Sequence, residues 1–532
     1  MIERGEQSDS RRGCARAVFQ PGVLFMCLIS LPLRASGASP QAESSHLQES
    51  VALISQGDLE GAEREARLAL RDPSIRPLAW ATLGTIRVKQ KKYDEGAEFL
   101  ATALRLNPRL VGARITLGDV YLLQGKKDKA REMLREALRT DPENHNAQFA
   151  LAQLESADGN FSASLRAAQP LLPELYRSVN GILLLAEDYA GLKRKDSLQA
   201  LVSDWDGLSD VPSAASTDFA SLLAKNELVQ DAIKVLEKAK GNGPVSYDLA
   251  FALANLYSLT GNLAQASQNY EAAAGLKPDC VPCLQQIVKL AEQQKDLEKA
   301  LAYLIRAKRL QPQNDEILFE FGKVCLEMDL FDDSIAALRQ AVYLKPENDS
   351  YEYVLASALV SKKQYEEAIT VYGTLLKKRP DDAVLNYAMG SVLFLEVSLD
   401  DAAKYLQRSI DIDPKQSAAY YYLGLVAEGK GENDRATAIF RDVVRRYPDY
   451  SPAYEGLGRV LLKQRKFPEA EQALEKAIFL NPHSVKAHYQ LGMLLGRIGK
   501  PEDGDKELEI AQKLEAEERK RSAAQLRILS PH

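Results

Sequence analysis

Cys280 and Cys283 have the clearest chemical potential of any residues in this chain. A C-x-x-C pair can cycle between two thiols and a disulfide, and a thiol at the start of a helix is more acidic than a free one. The pair follows Pro278 and opens an apolar stretch with helical spacing, so it sits at such a start. The strand-helix-strand surroundings that redox-active pairs need are missing. Three readings therefore stay open: a thiol–disulfide factor, a local disulfide formed in an oxidising compartment, or two packed thiols. Two cysteines alone do not make a zinc site. His46, His145, His483, His488 and His532 are scattered, and the one near pair, His483 and His488, reads as surface. Acidic pairs such as Glu366 and Glu367 read as solvated helix surface rather than as general acid and base. The sequence contains no phosphate-binding G-x-x-x-x-G-K-[ST], no G-x-S-x-G and no H-E-x-x-H. The expectation is a chain that is not an enzyme and takes no cofactor or metal.

The elements that would position these residues are set by a ladder of prolines. Pro244, Pro278, Pro312, Pro346, Pro380, Pro414, Pro448 and Pro482 recur at every thirty-fourth position, and the same grid meets Pro108 and Pro142 upstream. A fixed period of this length denotes a repeat architecture. Each cycle holds two apolar stretches with helical spacing, such as Leu117, Val120 and Tyr121, then Met133, Leu134, Ala137 and Leu138. Between them Gln124-Gly125-Lys126-Lys127-Asp128 reads as a breaker, with Asp128 expected to cap the second helix. Gly118 and Ala130 are small where the two helices must approach closely. The proline ends the second helix, because it lacks a donor and restricts the residue before it. One helix pair cannot bury its apolar faces alone, whereas stacked neighbours can.

The grammar of Leu117-Gly118, Tyr121, Ala130, Leu134, Ala137 and Pro142, repeated as Leu423-Gly424, Ala436, Phe440 and Pro448, resembles the tetratricopeptide repeat. The resemblance spans residues 43–516. It implies an all-α, right-handed α-solenoid superhelix of about 14 helix-turn-helix repeats. An N-terminal lobe is expected over 43–212, degenerate at 145–210, where Pro170, Pro173, Gly207 and Pro212 fall in or near second helices. Trp205 takes a position usually held by alanine, so local packing must differ there. A regular array is expected over 213–516, with residues 517–532 as a polar capping helix or tail. Drift within a continuous stack, or a bend between two lobes, would each account for 145–210. Cys325 falls on a first helix at a core position.

Composition narrows the partners. The 532 residues are 45% hydrophobic and 27% charged with a net charge of −6, which argues against nucleic acid because that requires a basic face. Arg11, Arg12 and Arg16 precede the apolar run 23–33, and small residues Ala35-Ser36-Gly37-Ala38 follow. The run is short for a membrane helix of about 20 residues and suits a secretory signal peptide over 1–38. The mature chain would then carry no membrane span and lie outside the cytoplasm, in the periplasm of a bacterium; an uncleaved N-terminal anchor is the alternative.

The same step taken from Phe251 gives Gln285, Phe319, Tyr353, Tyr387, Tyr421, Glu455 and Tyr489, the fifth position of each first helix. The family resemblance implies that first helices line a concave groove and that this position contributes to it. Phe251, Phe319, Tyr353, Tyr387, Tyr421 and Tyr489, with Lys323 at the ninth position, are therefore the candidate partner-binding residues, packing between helices being the competing role. Family members that grip a chaperone's C-terminal carboxylate use Lys and Asn at positions five and nine. Phe251 with Asn255, and Phe319 with Lys323, depart from that clamp. The function expected is an exported scaffold or adaptor holding a peptide or protein. The alternatives are a component of an envelope machine for polysaccharide synthesis or export, with glycan or envelope-complex contacts, and a thiol–disulfide factor.

Overall fold

The computed structural model describes residues 43–528, and among them every regular element is a helix. The leader expected over residues 1–38 lies outside the described residues. From Val111–Leu123 to Val485–Arg497, first helices begin at every thirty-fourth position, at 111, 145, 179 and onward to 485. Each is followed by an antiparallel second helix.

One backbone device makes each hairpin. The residue at position 57, and every thirty-fourth residue after it up to position 499, has a positive φ. Six of these are glycine, among them Gly125 with φ 74°, while Lys91, Lys363 and Val397 accept the same geometry at a cost. At Gly125 the turn is a Schellman closure: its N–H donates to the Leu122 carbonyl at 2.9 Å, and the Lys126 N–H donates to the Tyr121 carbonyl at 2.7 Å. The second helix begins two residues earlier than expected. Lys127–Thr140 has Lys126 at its N-cap, and Asp128 stands inside the first turn, where its Oδ1 accepts from Arg131 at 2.7 Å. Asp128 thus acts on the helix dipole rather than as the cap.

Within a hairpin the two helices close through a small residue against a large one. A side chain added at Gly424 would stand 2.6 Å from the Phe440 ring, and one at Gly322 would stand 2.6 Å from Leu338. The buried rows Ala130, Leu134 and Ala137, or Ala470, Leu474 and Ala477, supply the facing apolar surface.

The described chain divides into two compact units, one ending at Ala266 and the other beginning at Ser267. Residues 145–210 lie in the first unit and depart from the pattern. The second helix of that hairpin stops at Ala168, because Pro170 and Pro173 remove donors; a 3-10 turn, Gln169–Leu171, and a short helix, Leu172–Leu175, follow. Leu171 and Leu175 still turn inward and are buried. One hairpin on, Trp205 fills the alanine position, 2% exposed, with its ring centroid 4.6 Å from that of Phe219. The second unit keeps regular hairpins. Its last helix, Pro501–Ile528, is continuous, so residues 517–528 prolong the last repeat's second helix.

Candidate functional site

Phe319, Tyr353, Tyr387 and Tyr421 are the fifth residues of Asp315–Glu327, Asp349–Ser361, Ala383–Leu395 and Ser417–Gly429. All four are half-buried and pack against the cores of the second unit. Their rings have partners that are absent from the line of fifth positions. Phe319 stacks on Tyr351 at 4.5 Å, and Tyr351 donates its hydroxyl to Asp315 at 2.8 Å. Tyr353 meets Tyr372 edge-on at 5.9 Å, and Tyr387 meets Tyr422 at 5.7 Å. Tyr421 touches Tyr422 at 5.7 Å, and Tyr450 and Phe440 each at 5.9 Å. The sequence did signal part of this, since Tyr420, Tyr421 and Tyr422 are consecutive. Tyr372 sits on a second helix and Tyr450 in the preceding turn, so no first-helix periodicity finds them.

These rings leave a specific chemical remainder. The Tyr372 hydroxyl is 3.2 Å from Ser357 Oγ, whereas among the described residues the hydroxyls of Tyr353, Tyr387, Tyr421, Tyr422 and Tyr450 have no protein hydrogen bond and are not sealed from solvent. Burial pushes the Tyr421 phenol up to about 12, with the nearby Glu455 carboxylate adding to it. Burial also raises Tyr353 and Tyr387, Asp382 assisting at the first and neighbouring tyrosines at the second. The hydroxyls therefore stay protonated and remain donors at any ordinary pH.

The charged groups around them are already matched. Lys323 Nζ bonds Glu320 at 2.7 Å, lies 3.9 Å from Glu292 and sits over the Phe319 ring at 5.6 Å. The Arg459 guanidinium grips Glu428 at 2.7 Å, Lys463 reaches the same carboxylate at 2.7 Å, and Glu455 accepts from Ser484 at 3.1 Å. Glu428 is 8% exposed; burial alone would raise its carboxyl, but Arg459 and Lys463 outweigh that and lower it. Tyr489, 54% exposed, joins none of the ring pairs. Phe251 belongs to the first unit, where it stacks on Tyr247 at 5.7 Å.

Cys280 and Cys283 are joined in a disulfide at the start of Val281–Gln293, and Cys280 Sγ accepts from the Cys283 N–H at 3.2 Å. The sulfur takes the role a serine or asparagine plays at other helix starts. The two residues are 3% and 0% exposed. Cys325 is buried, and burial pushes its thiol up to about 12, Asp333 reinforcing the shift. Among the described residues no cluster of three or more His, Cys, Asp or Glu could hold a metal, and no helix is long and apolar enough to cross a membrane.

No curated protein sequence matches the chain. Among solved structures it is similar to the Cut9–Hcn1 hetero-tetramer of the APC/C, at 13% identity and a TM-score of 0.37, covering 92% of this chain and 97% of that one. It is similar to yeast Tom70 at 16% identity and a TM-score of 0.34, covering 84% of this chain and 97% of that one. MamA from Desulfovibrio magneticus RS-1 has 21% identity and a TM-score of 0.30, over 31% of this chain and 93% of that one. Tetratricopeptide repeat models match residues 87–154, 247–280, 281–314, 315–348, 353–417 and 425–493. More than half of the residues fall in those matches, in phase with the repeating hairpins and their positive-φ turns, and the chain belongs to the tetratricopeptide repeat family.

Proposed function

We propose that this chain is a non-enzymatic, protein-binding scaffold, exported from the cytoplasm, whose second unit holds an extended segment of a partner against Phe319, Tyr353, Tyr387 and Tyr421. The observation that carries this reading is the remainder of hydroxyl donors on a run of half-buried rings. Such rings offer apolar area at low conformational-entropy cost, and their hydroxyls suit backbone carbonyls that a peptide leaves unpaired. Because Lys323 and Arg459 are already matched by acids, the partner would bring shape and carbonyl groups rather than a terminal carboxylate. Sugar hydroxyls would use the same donors, which keeps a place in an envelope machine that handles polysaccharide as the second reading. Burial of both sulfurs speaks against a thiol–disulfide factor, since exchange requires a thiolate to reach one of them.

The experiment is a paired measurement on chain purified from its own host. Intact mass should place the mature N-terminus near Ser39, as export with cleavage requires. Partners captured by crosslinking from the envelope fraction are then titrated against wild type and Tyr353→Ala/Tyr387→Ala. A loss of about 2–4 kcal/mol in affinity, with melting within a few degrees of wild type, is the expected result. A large fall in melting temperature with unchanged affinity at equal folded fraction would make these tyrosines packing residues and end the proposal.

A further inference from the structure

Asp188 is out of place in its own repeat. It lies on Val179–Gly191 at the tenth position of the first helix. The matching positions of the preceding repeats hold Leu154, Val120 and Ile86, those that follow hold Leu222, Leu256 and Leu290, and every further one to Leu494 is Val, Ala or Leu. Asp188 is 0% exposed, as fully covered as Ile86, Val120 and Val460 at the same position. Among the described residues neither carboxylate oxygen has a hydrogen-bond partner. The hydroxyls of Ser156, on His145–Ala157, and Ser164, on Phe161–Ala168, are buried and equally without a partner. Three helices thus bring an acid and two hydroxyls together in the interior, at the hairpin that Pro170 and Pro173 break.

A bare carboxylate in that position would be very costly, and a group so placed takes a proton instead. Among the described residues no cation offsets that cost. On its own helix stand Glu187 and Tyr189, the latter near Tyr176 and Arg194. From Ser213–Lys225 comes Asp218, which faces Glu187. Glu155, beside Ser156, is committed to Arg131, Arg135 and Asn160. Arg166 is exposed, Glu174 pairs with His145 at the surface, and Lys195 pairs with Glu227. We propose that Asp188, Ser156 and Ser164 form an internal proton-binding site: the carboxyl is neutral when the hairpin is packed, and its ionisation loosens the first unit at residues 161–191.

Burial raises the Asp188 carboxyl to about 6, the Ser164 and Ser156 hydroxyls opposing it, and burial raises Glu187 to about 7 with Asp188 and Asp218 adding. The folded acid is harder to ionise than the unfolded one, so folding takes up a proton between the two values. The stability of the first unit therefore falls as pH rises from the ordinary aspartate range through about 6, and stays lower above it. The neighbouring Glu187 extends the same trend upward and has to be separated by mutation.

Hydrogen exchange on the whole chain, read in peptides covering 161–175 and 179–191 and corrected for the intrinsic rate, makes the test. Between about pH 5 and pH 7.5 the opening of these peptides in wild type should increase roughly tenfold or more. Asp188→Asn should remove its roughly tenfold share of that increase, Asp188→Leu should also raise the melting temperature at neutral pH by roughly 5 °C, and Glu187→Gln should leave that tenfold share in place. An equal pH slope in wild type and Asp188→Asn overturns the proposal. So does opening that follows sodium or potassium concentration rather than pH, which would make the site a cation site. If the variants do not fold, wild type decides alone, because a flat profile in these peptides also overturns it.

Discussion

Val397 carries a local cost that its neighbours explain. Its φ of 71° is the left-handed geometry required at every hairpin turn, and a β-branched side chain fits that region worst. The closure is nevertheless made: the Val397 N–H donates to the Phe394 carbonyl at 3.0 Å, and the Ser398 N–H to the Leu393 carbonyl at 2.9 Å. The side chain is 74% exposed, so little packing compensates for the strain. Val397→Gly should stabilise the second unit by about 1 kcal/mol, the relief of strain exceeding the extra chain entropy of glycine. Denaturant melts of the two proteins read this directly. An unchanged or lower midpoint would mean that the valine is favoured by a contact outside its own turn.

At the scale of the element, the hairpin after the broken one shows how a degenerate repeat stays packed. Pro170 and Pro173 shorten one second helix, and the following second helix, Lys195–Asp206, carries Trp205 where alanine is usual. The indole lies against Phe219, in a core shared with Leu171, Leu175, Ile182 and Leu198. Gly181 leaves no room for a side chain against the Leu175 backbone, so the short helix packs closely on Val179–Gly191. Trp205→Ala should cost about 3–5 kcal/mol, because neighbouring helices already fixed by their own turns cannot collapse into the space. Trp205→Phe should cost less. A small loss for the alanine variant, measured by chemical denaturation, would show that this stretch is loosely packed and that the large side chain only covers its surface.

Taken as a whole, each unit is held by neighbours rather than by one central core. In the second unit Leu491, Leu494 and Leu495 of the last hairpin share a core with Leu457, Leu461 and Leu474 of the hairpin before. The set around Tyr353 and Tyr387 is built from other hairpins. Nearest-neighbour stability then predicts a local effect for a terminal deletion. A chain ending at Pro482 should bind an apolar dye and melt several degrees lower, while hydrogen exchange in residues 349–395 stays close to that of the full chain. Exchange that rises equally at both places would mean that the unit folds as one cooperative block.

The sequence by itself determined the architecture, for a physical reason: a constant period with small residues at fixed offsets admits one way of burying two helical faces against their copies. It also determined where the fifth-position aromatics fall, since helix and repeat share a phase. Tertiary structure decided what those aromatics touch. Tyr372 and Tyr450 come from other elements, and contact across elements has no signature in spacing along one helix. Lys323 reads as a candidate binding cation until Glu320 is seen to hold it. Asp188 could be read as one polar residue in a drifting repeat. Only the packing of three helices shows it covered, with two serines beside it and, among the described residues, no cation to offset its burial, because desolvation depends on what surrounds a side chain and not on its place in the chain.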